Sequence, residues 1–374
     1  MCITARWPIP NSNDTDRTVN EDYDQTEAIT ARVREAAEAG TPLAIRGGGS
    51  KPFYGHPVRG EPLDVSGHRG VLNYEPTELM LTARAGTPLT ELEETLSANG
   101  QMLAFEPPRF DGAATLGGVV AAGLSGPRRP FAGAVRDHVL GVRIVDGNGS
   151  VGRFGGEVIK NVAGYDVSRL SVGALGTLGV VLEVSIKVLP RPEAERTVCL
   201  DMPADATYDR IEAALRDGAP ITAAAHDSER AWVRLAGAAS AVTAGAQVLG
   251  GDAPADETFW TELRDQTMEF FRGDTAEPLW RISLPPAGSA PALPGRRLID
   301  WGGQLHWIRT DAPAERIRRE TTAIGGHATL FRGGAAETPV FTPLQPALAR
   351  FHERLKRAFD PRGVLNPGRM YPAL

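Results

Sequence analysis

The chain has 374 residues, 42% hydrophobic and 23% charged, with a formal net charge of −6 and two cysteines. That suits a soluble globular protein of two domains or one large discontinuous one, and the acidic balance speaks against nucleic acid as a partner. No apolar run approaches the ~20 residues that span a bilayer, Met1–Asp24 is polar without a signal-peptide core, and Cys2 and Cys199 offer no CxxC pair for an iron–sulfur cluster or zinc site.

Residues 1–23 read as frayed, and Cys199, in an apolar run, reads as core. A helix is expected from Asp24, with Asp24 and Glu27 spaced as a capping box, Ile29, Val33, Ala36 and Ala37 on one face, and Gly40 at its end. A short strand at 42–46 follows. Leu79, Leu81, Ala83 and Ala85 alternate as in a half-buried strand, and Thr87-Pro88 opens a helix with Leu89, Leu92 and Leu96 on its apolar side, stopped at Asn99-Gly100. Val139–Val145 reads as a strand running into the hairpin signal Asp146-Gly147-Asn148-Gly149. Thr177–Leu189 is a β-branched run closed by Pro190 and Pro192, a natural boundary. Beyond it, strands at 197–202, 230–235, 279–284, 304–309 and 327–332 alternate with helices at 204–216, 255–271 and 312–323. That texture predicts antiparallel strands with helices on one face. A Pro- and Gly-rich linker at 285–295 interrupts it, and a last helix spans about Pro346–Phe359.

Three glycine-rich regions carry the chemistry. In Arg46-Gly47-Gly48-Gly49-Ser50-Lys51, consecutive glycines let the backbone come close to a ligand, and successive exposed N–H groups make an anion site flanked by two cations. A diphosphate fits; an ordinary turn would use the same glycines. The second region runs from Pro107 to Gly133. Amides of Leu116, Gly117 and Gly118, hydroxyls of Thr115 and Ser125, and the charges of Arg128 and Arg129 suit an anion or a ring's polar atoms there. A close-packed helix crossing is the alternative. The third holds Gly164-Tyr165-Asp166 and Gly173 to Val180, in which Asp166 and Arg169 read as a mutual ion pair. Gly147-Asn-Gly149-Ser-Val-Gly152 satisfies GxGxxG, but Arg153-Phe-Gly-Gly156 cannot open the helix that a dinucleotide site needs, so it reads as a hairpin. No Walker loop, GxSxG elbow or metal-spaced histidine set occurs. His306 and His327 fall in expected strands, where a lone histidine is more often structural than catalytic.

Taken together, RGGGSK at 46–51, ATLGG at 114–118 with AAGLSG, Arg136-Asp137, GYD at 164–166, GALGTLGVV at 173–181 and the FDPRGVLNPGRM tail at 359–370 resemble the vanillyl-alcohol-oxidase (PCMH-type) family of FAD-binding domains. Within it, IKNVAGYDVSRL at 159–170 and the short second domain resemble the GlcE-type FAD-binding subunits of glycolate oxidase. The resemblance implies an α+β fold: a two-subdomain FAD-binding unit at 1–190 plus 345–374, with a smaller α+β cap at 191–344. It implies that the 46–51 and 115–118 loops hold the FAD diphosphate. Pro107, Gly123, Ser125, Arg129, Asp137, Gly164, Tyr165 and Gly179 join the cofactor site, the backbone near Val180 meets adenine, and Asn366 lies toward the flavin. Ser50 stands where some relatives carry a flavin-linking histidine, so dissociable FAD is expected; His56 is near but outside that pattern. A His-rich cap motif resembling HxGDGNxH, which catalytic D-lactate and glycolate relatives carry, is absent from 191–344.

The first expectation is therefore an FAD-binding subunit of glycolate oxidase, cytoplasmic, docked peripherally at the inner membrane through partners. It would work with a catalytic flavoprotein subunit and an iron–sulfur subunit that takes the electrons, the complex as a whole oxidising glycolate to glyoxylate by hydride transfer to flavin; the missing His-rich motif speaks against oxidation by this chain alone. If this chain itself binds the small 2-hydroxy acid, an arginine in the cap, Arg281, Arg309 or Arg332, would clamp the carboxylate, with His306 or His327 as base. The alternatives are a stand-alone FAD oxidoreductase on another alcohol or hydroxy acid, and a non-catalytic FAD-binding or electron-relay subunit.

Overall fold

The computed structural model describes residues 23–156, 166–252, 258–272, 277–286, 290–335 and 337–374. The first helix, Thr26–Ala39, buries Ile29, Val33, Ala36 and Ala37 and ends on Gly40 at φ 67°. Its expected capping box does not form. Gln25 is the N-cap, and Asp24 instead accepts from the Thr26 amide and pairs with Arg84.

Leu43–Arg46 and Glu61–Asp64 form a two-stranded parallel sheet. A five-stranded antiparallel sheet lies beside it, in the order Val71–Glu75, Met80–Arg84, Val180–Lys187, Val139–Val145, Val151–Gly155. The last two strands are the hairpin that the Asp146–Gly149 turn announces. Met80–Arg84 is buried along its whole length, not on one face: helices Leu89–Ser97 and Leu116–Ala122 pack on Leu81 and Ala83, and on the opposite face Thr82 bonds Ser185 and Arg84 pairs with Asp24.

The remaining strands make one seven-stranded antiparallel sheet: Ala194–Leu200, Ala231–Gly237, Ile221–His226, Arg296–Asp300, Leu305–Arg309, Leu279–Ser283, His327–Arg332. Helices Ala204–Arg216, Ala239–Leu249 and Ala314–Ala323 cover one face, with Ile211, Val242 and Ile317 packed on Val233, Ala224, Ile282 and Ile308. Ile221–His226, Arg296–Asp300 and Ala239–Leu249 were not expected from sequence. The expected helix at 255–271 is two short pieces, Phe259–Asp265 and Glu269–Arg272, because Gln266 turns left-handed at φ 56°. The other sheet face carries Leu298, Leu305, Trp307 and Phe331 and packs on Phe110, Ala122 and Leu124 of the second glycine region.

The tail comes home to the first strand. The Leu43 amide donates to Val364 O at 2.7 Å and the Asn366 amide to Leu43 O at 3.1 Å. Helix Pro346–Phe359 leads into this return, and buried Lys356 locks it by donating to Asp360, Thr177 O and Leu365 O.

Candidate functional site

The three glycine regions and the tail meet. A side chain on Gly48 would start 1.6 Å from Ala113 O, and one on Gly47 2.5 Å from Thr115 Oγ1, so the first loop lies directly on the second. Gly173 N and Leu175 N donate to Val120 O and Ala121 O, which seats the third region on the helix of the second. Gly123, left-handed at φ 64°, closes that helix where Gly173 crosses it. Asn366 then clips the set: its Oδ1 accepts from Ile45 N at 2.7 Å and its Nδ2 donates to Leu175 O at 2.7 Å. Gly176 is glycine because a Cβ would sit 2.8 Å from that Nδ2.

The donors differ from loop to loop. The amides of Gly47, Gly48, Gly49 and Ser50 have no hydrogen-bond partner among the described residues. Lys51 donates to Ser50 Oγ at 2.9 Å, and burial alone pushes its pKa down to about 8. Arg46 points away, to Asp64 at 3.2 Å. The amides of 116–118, expected to be free, are taken: Leu116 N by Thr87 O, Gly117 N by Ala85 O and Gly118 N by Thr115 Oγ1. Gly117 is there so that the helix can start against Ala85, 2.6 Å from where a Cβ would stand.

Arg128 is likewise not available to an anion. It is buried between Glu106 and Glu195, and Arg234 of the large sheet shares Glu106. Burial pushes the Glu106 carboxyl up, but Arg234 and Arg128 outweigh it and hold it below the ordinary range. Ser125 Oγ accepts from Val135 N, and Asp137 caps Ala134 N. Pro107, Gly179 and Val180 are buried, with Gly179 close against the Val145 carbonyl. Asp166 and Arg169 pair at 3.1 Å; Gly164 and Tyr165 lie outside the described residues.

Arg129 leaves this group and stands over the Trp301 ring at 4.1 Å. Arg281, from the middle of strand Leu279–Ser283, stands over the same ring at 4.9 Å. Neither guanidinium has a carboxylate within ion-pair distance among the described residues, and burial first, then each other's charge in the case of Arg129, lowers their pKa values. His327 shares the sheet face of Arg281 across Thr329. The protein packed around its ring, then Arg281 and Arg129, hold it below the ordinary histidine value, although one side stays exposed. A small cavity of about 20 Å³, lined by Ser125, Gly126, Arg281, Asp300 and Trp307, lies between the second glycine region and this face. Asp300 is buried, its carboxyl pushed up to about 7 by that burial.

The other cap candidates separate. His306 pairs across strands with Ile282 and Ile299, on the helix-covered face, and binds Gly303 O; burial and Arg297 push its pKa down to about 4. It cannot reach Arg281 through the sheet. Arg309 spends its guanidinium on the carbonyls of Phe270, Phe271 and Glu277. Arg332 stacks on Phe53 at 4.4 Å and stands 5.6 Å from the Phe110 centroid, the same ring that Lys51 approaches at 5.5 Å. Sequence reasoning missed Trp301, Phe110 and Lys356; aromatic residues beside expected strand ends were the available signal for the first two.

Residues 23–155 match the family model of an FAD binding domain. The chain is 47% identical over 351 residues to the glycolate oxidase subunit GlcE of Escherichia coli (strain K12), an alignment covering 94% of this chain and 99% of that one. The chain belongs to the GlcE family. GlcE-family membership makes FAD the cofactor and places the chain among FAD-dependent oxidoreductases. The glycolate oxidase subunit GlcD of Bacillus subtilis (strain 168) is 31% identical over 201 residues, covering 53% of this chain and 41% of that subunit. Solved alkyldihydroxyacetonephosphate synthase superposes with a TM-score of 0.66 at 16% identity, covering 92% of this chain and 74% of that one, which shows the shared fold. No helix among the described residues is long and apolar enough to cross a membrane. The residues fit the cofactor: four amides in a row without a partner among the described residues, with a desolvated lysine beside them, are the donor set that a diphosphate satisfies.

Proposed function

We propose that this chain is the FAD-binding subunit of a multi-subunit glycolate oxidase and that a short 2-hydroxy carboxylate is oxidised beside Arg129, Arg281 and His327. The observation that carries the reading is the meeting of Arg129 and Arg281 on the Trp301 ring, with His327 on the sheet face of Arg281, in a chain aligned along nearly its whole length with a glycolate oxidase subunit. Two desolvated guanidiniums without a carboxylate partner are an anion site. A substrate carboxylate held there leaves its hydroxyl near His327, whose imidazole stays neutral at physiological pH and accepts the hydroxyl proton. Bound FAD supplies the acceptor for the hydride from the carbinol carbon. Backbone amides of 47–50 and Lys51 hold its diphosphate, and the absence of histidine at Ser50 leaves it dissociable.

In this reading residues 1–190 with 345–374 form the FAD-binding unit and 191–344 the cap. The electrons leave to an iron–sulfur subunit, since this chain has two cysteines in all, far apart in sequence, and the complex works in the cytoplasm, at the inner membrane through its partners. The purified chain, mixed anaerobically with glycolate, tests the proposal. Bleaching of the flavin band, lost in Arg281→Ala, supports it. An unbleached flavin both alone and in the assembled complex would leave a relay or structural subunit instead.

A further inference from the structure

Helix Pro346–Phe359 has an outward face that nothing among the described residues covers. Its single buried residue is Lys356, which with Asp360 welds the C-terminal half to the body. Leu348 and Phe351, in the N-terminal half, are 50% and 59% exposed, the most open large apolar side chains among the described residues. Tyr371 joins this helix to the neighbouring segment, with its ring 5.9 Å from His352 and 6.0 Å from Phe341. That segment walls an open groove against helix Ala314–Ala323, lined by Glu315, Arg318, Arg319, Thr322, Pro339 and Pro343. Arg350 and Arg354 flank Phe351 on the exposed side of the helix and Arg319 lines the groove, all three exposed and without an ion-pair partner among the described residues; Glu353 on the helix and Glu315 in the groove are the acids nearby.

We infer that this face docks another subunit of the oxidase, through Leu348 and Phe351 inserted into an apolar socket rimmed by carboxylates. The inference rests on the multi-subunit reading above. Charge selects the occupant. The chain as a whole is at −6, so a cluster of unpaired arginines around exposed leucine and phenylalanine is a local reversal that an acidic rim complements. A second copy presenting the same face would set arginine against arginine, so self-association is disfavoured. A lipid surface is flat, whereas the groove beside the helix is concave and accepts a protruding protein segment. Buried aromatic anchors dominate such interfaces, and arginines at the rim set the rate of encounter.

The test is co-expression of the chain with the flavoprotein subunit of its own oxidase, the GlcD-like one, followed by size-exclusion chromatography and a titration of the two purified subunits. Wild type should co-elute. Leu348→Glu/Phe351→Glu should keep its FAD absorbance and bind at least tenfold more weakly. Arg350→Glu/Arg354→Glu should bind more weakly at low salt and lose most of the salt dependence. Co-elution of both variants at wild-type affinity overturns the docking face while leaving the subunit reading intact. Dimerisation of the chain alone, broken by the first variant, or binding to anionic vesicles lost in it, overturns it in favour of those occupants. Failure of FAD-loaded wild type to assemble at all overturns both readings.

Discussion

The indole Nε1 of Trp301 donates to the carbonyl of Gly126 at 3.0 Å, a hydrogen bond 175 residues long in sequence that fastens the large sheet to the second glycine region. Trp301 holds φ at 55°, a left-handed conformation costing a bulky residue about 1–3 kcal/mol. Asp300 Oδ1 takes its amide at 2.6 Å, and Arg129 and Arg281 stack on its ring.

Trp301→Phe should therefore keep an aromatic surface for both guanidiniums and lose the bond to Gly126, worth about 0.5–1.5 kcal/mol. The expected result is a KM for glycolate raised about tenfold with FAD content unchanged, read by steady-state kinetics beside the flavin absorbance. Loss of FAD with unchanged KM would place Trp301 in cofactor binding instead.

The glycines of the first loop should not be equivalent. Gly48→Val puts a side chain into Ala113 O, so the two loops separate and FAD retention is lost. The cause is broken loop packing before any clash with a diphosphate. Gly49 has φ +70° but open space around it, so Gly49→Ala meets only strain of about 1–2 kcal/mol and should stay yellow. Flavin-to-protein absorbance ratios after desalting decide between the two.

Asn366→Ala strips the partners from Ile45 N and Leu175 O, and each buried backbone group left unpaired costs about 1–3 kcal/mol. A fall in denaturation midpoint together with weaker FAD binding is expected, because the clip holds the strand that launches the glycine loop. An unchanged midpoint would show that the tail is not clamped there.

Burial pushes Lys51 from 10.5 down to about 8, so the folded protein gives up this proton before the unfolded chain does. Between pH 8 and 10.5 the unfolded state binds more protons, and the FAD-free protein should gain stability as pH rises through that window, relative to Lys51→Met. FAD affinity should move the other way, weakening above pH 8 as the ammonium beside the diphosphate is lost. Parallel denaturant and FAD titrations across pH 7 to 10 check both signs.

Helices Thr26–Ala39, Leu89–Ser97 and Pro346–Phe359 and strand Val139–Val145 were legible because each carries an unbroken apolar period and its own stop signal. Ile221–His226 was not, since three alanines in its centre carry no strand preference and are held by the sheet on both sides. The glycine loops could be read because backbone approach demands glycine locally. The division of charge could not: Arg128 and Arg129 are neighbours, yet one is neutralised by Glu106 and Glu195 and the other reaches Trp301. Nothing in the sequence spacing separates His306 from His327. Strand register alone places them on opposite faces.

A crystal structure of the chain with FAD bound tests the central claim most directly. The account predicts diphosphate oxygens about 2.7–3.2 Å from the amides of Gly47–Ser50, with Lys51 alongside. A diphosphate seated on any other loop, with those four amides facing water, would contradict it.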